Sequence, residues 1–156
     1  MLKLLGTVAG TLIMVLVLAA CSTAAHRKGR PWVAGCARAE ADVRFAGLQA
    51  GPFVGVTTPR EMIAAERRWA ALGPEKVAAD KAMRRTTFTG PVTSLKVVPF
   101  PAPLARQMRQ IDADLAAFGA ARVGYRPHKS PQPIGDTAQK LMRDIRAVQA
   151  TCSRKP

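Results

Sequence analysis

From Leu4 to Ala20 the chain carries no charge, and the only charged side chain before that run is Lys3. A basic start, an apolar centre and small residues at the end are the three parts of a secretory signal. Such a leader is cut away, so it contributes nothing to a core and the fold must be built from the residues after it. As a helix those residues would reach roughly 26 Å, short of the roughly 30 Å hydrocarbon layer. Length therefore disfavours an uncleaved membrane span. The cations Arg27, Lys28 and Arg30 just beyond the run point the other way, since Lys and Arg favour the cytoplasmic side. That keeps open a second topology, a membrane-tethered cytoplasmic domain.

The run ends in Leu18-Ala19-Ala20-Cys21. These four residues, with the apolar segment before them, resemble the lipobox of bacterial lipoproteins. The resemblance implies that residues 1–20 are a signal peptide and that Cys21 becomes the lipidated amino terminus. It implies a diacylglycerol thioether on Cys21 and a further chain, such as palmitate, on its amino group. At about 0.8 kcal/mol per buried methylene, three chains far exceed the marginal binding of one. Ser22 resembles the residue after the cysteine in lipoproteins sent on to the outer membrane, where the domain would face the periplasm; inner-membrane retention is the alternative. Acylation of Cys21 leaves Cys36 and Cys152 as an even pair, which an oxidising compartment would join as a disulfide bond.

Without the leader, 136 residues remain, enough for one domain with a real core. We expect residues 21–31 to be a lipidated, small and basic tether and residues 32–156 a single domain. That mature chain keeps 23 of the 24 Lys and Arg against 10 Asp and Glu, a net charge of +13. A basic body of this size is drawn to anionic surfaces: lipid headgroups, acidic envelope components or nucleic acid. The cations are dispersed in short runs such as Arg67-Arg68 and Arg84-Arg85, which suits a solvated surface better than a nucleic-acid groove.

Periodicity predicts a mainly α domain, α+β with a minor β element, of about four to five helices. Cys36, Ala39, Val43 and Ala46 recur at helical spacing as far as the glycines at 47 and 51. Phe53 to Thr57, apolar and β-branched, suggests a short strand. Thr58, Pro59 and Glu61 make a capping box for a helix bearing Met62, Ala65, Trp69 and Leu72 on one stripe, and Gly73-Pro74 stops it. A second helix with a weaker stripe at Val77, Ala78, Lys81, Ala82 and Arg85 should complete a helical hairpin. Residues 86–98 read as a small β-hairpin or a single strand from Val92, with one face covered by a helix because two strands alone are marginal. After Pro99, Pro101 and Pro103 comes the strongest stripe, Leu104, Met108, Ile111, Leu115 and Phe118, which Gly119 should close. Val123 to Gly135 is rich in proline and reads as a loop. Asp136 and Gln139 suggest a capping box for a last helix carrying Ala138, Leu141, Ile145, Val148 and Cys152 on one face, so that Cys152 points into the core.

Motifs that carry chemistry are missing from the sequence. His26 and His128 are its two histidines, too few for a zinc site beside a disulfide pair, so no metal or other cofactor is expected. No His-Glu-x-x-His, Gly-x-Ser-x-Gly or phosphate-binding glycine run occurs. Ser130 near His128 lacks an orienting carboxylate, and Asp112 and Asp114, two apart on a helix, diverge. Trp32, Trp69 and Tyr125 could stack on sugars or bases, but packing accounts for them more simply. No catalytic residue is therefore assigned. The expected role is a structural or interaction module held at a membrane surface, oligomeric state open. The alternatives are an envelope enzyme acting on cell-wall polymer and a membrane-tethered nucleic-acid binder.

Overall fold

The computed structural model describes residues 31–154. The signal, Cys21, Ser22 and His26 lie outside the described residues. Residues 31–33 are helical and belong to a separate unit; the main unit begins at Ala34. Within it, helix α1 (residues 34–50) is followed by α2 (Pro59–Ala71), α3 (Gly73–Thr87), the strands β1 (Phe88–Thr89) and β2 (Lys96–Val97), α4 (Ala102–Val123) and α5 (Gln132–Ser153). The domain is mainly α with a small two-stranded antiparallel sheet.

The core is a three-helix bundle of α1, α4 and α5. Leu104, Met108, Ile111 and Phe118 of α4 and Ile134, Ala138, Leu141, Ile145 and Val148 of α5 are all buried, as their spacing requires of facing helical stripes. Cross-contacts set directions. Gln107 donates to Thr151 at 3.1 Å and Lys140 reaches Asp114 at 2.5 Å, so α4 and α5 run antiparallel. Cys36 pairs with Cys152, and Gly47 lies beside Ile145, so α1 is also antiparallel to α5. Cys36, Ala39, Val43 and Ala46 are each at most 7% exposed, the stripe expected of α1.

The helices ignore two of the glycines expected to end them. α1 continues through Gly47 and α4 through Gly119, because a mid-helix glycine costs only about 1 kcal/mol and burial on either side outweighs it. The start of α5 is corrected likewise. It begins at Gln132 under Pro131, not at Asp136, because Ile134 is a core residue and draws the preceding turn into the helix. Gly135 is needed there. A Cβ at this position would collide with the Val56 carbonyl, so the first turn of α5 packs directly on backbone.

Val56 belongs to the run expected to form a strand. It forms none. Gly51–Phe53 is a 3₁₀ turn, and Phe53 and Val56 are buried while Val54 between them is 42% exposed. Burial three residues apart is a turn's period, and Gly55 at φ +76° supplies the bend. Phe53 then meets Phe118 at 5.4 Å between ring centroids.

α2 starts with the expected capping box: Thr58 Oγ1 accepts from the Glu61 N–H, and Glu61 accepts from the Thr57 and Thr58 N–H groups. Those bonds lower the Glu61 carboxyl to about 2. α3 is different. Ala79 is its one buried residue, and Val77 is 70% exposed. It leads into the hairpin, where Phe88 faces Val97 and Thr89 faces Lys96. The helix expected to cover one face does not do so, since both strands are exposed. The hairpin is moored at its base, where the Val98 N–H donates to Thr87 O at 2.8 Å and Arg38 of α1 donates to Val98 O. Arg38 also lies 4.0 Å from the Phe100 ring centroid.

Candidate functional site

The extra turn that carries α4 past Gly119 places Arg122 beside α2. Its Nε and Nη2 donate to the two carboxylate oxygens of Glu66 at 2.9 and 2.6 Å. The guanidinium lies 3.9 Å from the Trp69 ring centroid and 4.9 Å from that of Phe53. A planar fork can hold a carboxylate and stack on rings at once, which an ammonium cannot. Trp69 is fixed further by its Nε1–H, which donates to Gln49 at 3.1 Å, and by Lys76, whose ammonium sits 3.4 Å from the ring centroid.

Two open clefts share this ion pair. One, of about 560 Å³, is walled by Phe45, Gln49, Leu115 and Phe118. The other, of about 410 Å³, is walled by Met62, Ile63, Tyr125 and Pro127. Both fall within the size range of small-molecule sites. Apart from Gln49 in the first and Arg67 in the second their walls are largely apolar, and the one ion pair they share is already mutually satisfied. Such clefts suit a flat or apolar group better than a charged one. Among the described residues no Ser, Cys, His or Lys lines either cleft, and the one carboxylate there, Glu66, is held by Arg122.

A second cluster lies where α4 meets α5. Lys140 stands 2.5 Å from Asp114 and 3.2 Å from Asp144, and Gln110 donates to Asp114 at 2.8 Å. Burial pushes Asp114 up, but hydrogen bonds with Asp144, Lys140 and Gln110 outweigh it and hold this carboxyl below its ordinary value. The contact with Asp114, helped by burial, raises Asp144 instead. The two carboxyls are thus shifted apart, Asp114 down and Asp144 up, and the contact with Asp114 raises Lys140 in turn. Neither cleft reaches these groups, so they tie two helices together. A third carboxyl, Asp42, is pushed up to about 6, chiefly by burial, against the opposing pull of Arg38.

Of the residues singled out by sequence, Cys36 and Cys152 are brought together as a disulfide pair, Cα atoms 5.5 Å apart. Asp112 is exposed and Asp114 buried, divergent as their spacing requires. His128 is exposed, while Ser130 accepts from the Gln132 N–H at the start of α5 instead of serving the histidine. Trp69 packs under Arg122, and Tyr125 lines a cleft. The ion-paired residues were missed. Asp114 had a readable signal, since it lies on the buried stripe between Ile111 and Phe118. Arg122 and Glu66, 56 residues apart, had none. Compared with known protein families, with curated proteins and with solved structures, the chain finds no match.

Proposed function

We propose that the protein is an exported, lipid-anchored envelope protein whose basic helical domain works as a structural or interaction module at the membrane surface. Lipid on Cys21 holds it, by our reading at the periplasmic face of the outer membrane, and the domain meets an anionic envelope component or a protein partner. One observation carries most of the support. Cys36 and Cys152 stand as a disulfide pair, which suits an oxidising compartment and leaves Cys21 as the odd thiol, at the position the lipobox requires. The same pairing disfavours a cytoplasmic nucleic-acid binder, in which both thiols would be reduced.

Cells fed labelled palmitate should incorporate it into this protein, and Cys21→Ala should abolish the label and release the chain from the membrane fraction. Absence of label, together with a Cys21→Ala chain still held in the membrane, would end the lipoprotein reading. An inactive periplasmic reporter at the C-terminus would restore the cytoplasmic alternative.

A further inference from the structure

The hairpin gathers four of the nine large apolar side chains that the described residues leave exposed. Phe88 and Val97 face each other in register and are 46% and 55% exposed; Leu95, two residues before Val97, is 53% exposed, and Val92 in the turn is 90% exposed. A single exposed aliphatic residue is ordinary, but four within one ten-residue hairpin mark a surface that something covers. The hairpin cannot bend back to hide them, because its base is fixed by the Thr87, Val98 and Arg38 hydrogen bonds. Gly90 at φ +103° also closes its turn tightly, with room for no Cβ against Ser94 O.

Charge indicates what does the covering. Between Asp80 and Asp112 the sequence holds no acidic residue and six cations, among them Arg84 and Arg85 in the last turn of α3 and Lys96 within β2. Apolar side chains projecting from a wholly cationic segment are the make-up of a piece that lies in the headgroup layer of an anionic bilayer. The apolar groups reach the acyl boundary while Lys and Arg hold phosphates. The nearest carboxylate, Asp80, is taken up by Arg84 at 2.8 Å, which leaves Arg85 and Lys96, without an ion pair among the described residues, to meet phosphates.

We propose that the hairpin is a membrane contact: Phe88, Val92, Leu95 and Val97 seat at the acyl boundary of an anionic bilayer, and Arg85 and Lys96 bind its headgroups. It adds a second attachment to the one proposed at Cys21 without resting on it, since an acyl chain or an uncut apolar leader would equally keep the hairpin close to lipid. Two attachments orient a domain where one only tethers it.

The test uses the full protein purified from membranes and reconstituted into vesicles, with Val92→Cys carrying a polarity-sensitive thiol dye. Protein without that substitution is labelled in parallel. If Cys21 is acylated and the other two cysteines are paired, it takes no dye, so the anchor reading is judged separately from the hairpin. Dye at position 92 should shift to the blue in mixed phosphatidylcholine and phosphatidylglycerol vesicles, stay water-like in pure phosphatidylcholine, and revert on adding salt. Arg85→Gln with Lys96→Gln should lower the inserted-to-free ratio by at least about tenfold, given roughly 1 kcal/mol for each cation near an anionic surface. Phe88→Ser with Val97→Ser should abolish the shift with helical circular dichroism unchanged; should that pair disturb the hairpin, Leu95→Ser, outside the strand pairing, should still reduce it. Water-like emission in both lipids would overturn the proposal, as would a shift indifferent to these apolar substitutions. A shift that grew with protein density regardless of lipid charge would overturn it in favour of a second copy of the chain.

Discussion

The bundle and the arm formed by α3 and the hairpin are both built on helix and hold themselves together in opposite ways. α5 buries five side chains in its 22 residues, whereas α3 buries only Ala79 in its 15. The bundle also has the Cys36–Cys152 bond and the Asp114–Lys140–Asp144 tie, while the arm's ion pair, Arg84 with Asp80, is exposed and worth little. Secondary structure therefore says little about where stability resides. In this domain helix content is spread along the chain, but the free energy of folding is concentrated in three helices.

Four substitutions would break or sharpen that contrast. Cys36→Ser should have the largest effect, a loss of up to about 4.7 kcal/mol, because the bond closes a loop with a separation of 116 residues. Urea unfolding of the variant should match that of the unsubstituted protein in reductant, and equal stability with and without the bond would refute this account. Val148→Ala, which removes two methyl groups from a site with no exposure, should cost about 2 kcal/mol in the same assay. Asp42→Asn tests burial in the bundle by pH. A carboxyl whose folded value is raised stabilises while protonated: the contribution is full below 3.8 and is lost as pH climbs through about 6. Allowing for its partial exposure, the Asn variant should gain about 1 kcal/mol at neutral pH and lose that slope. A slope that survives the substitution would place its origin elsewhere. Val77→Ala on α3, chemically the same change as Val148→Ala, should move stability by less than about 0.5 kcal/mol. A cost close to that at Val148 would show that the arm is packed after all.

Much of the bundle could be read in advance because its signals are local and repeated. The α4 and α5 stripes, like the Thr58–Glu61 capping box of α2, each involve residues within a few turns of one another; the box appears as expected, and so do the stripes except at Leu115 and Cys152, which are only half-buried. The readings that failed depended on distant partners. Phe53 to Thr57 is too short for its period to be determined, and the packing of Phe53 on Phe118 and of Val56 on Gly135 decided it. The glycines at 47 and 119 look like stops until the burial on either side is known. The exposed hairpin was unreadable for the converse reason, since apolar residues in a strand are ordinarily covered and sequence does not show that no helix arrives. At the candidate site the same rule holds: Trp69 was legible as a stripe residue, but the Arg122 and Glu66 that frame it meet only in three dimensions.

The sulfur–sulfur link joins the first turn of the main unit's α1 to the last turn of α5. Tension applied at the two termini would thus pass from one to the other through that link and leave the intervening segment without load. The mechanical strength of the domain, pulled along this line, is then that of a covalent bond, and a reducing agent would change it from an inextensible strap into more than a hundred residues of slack.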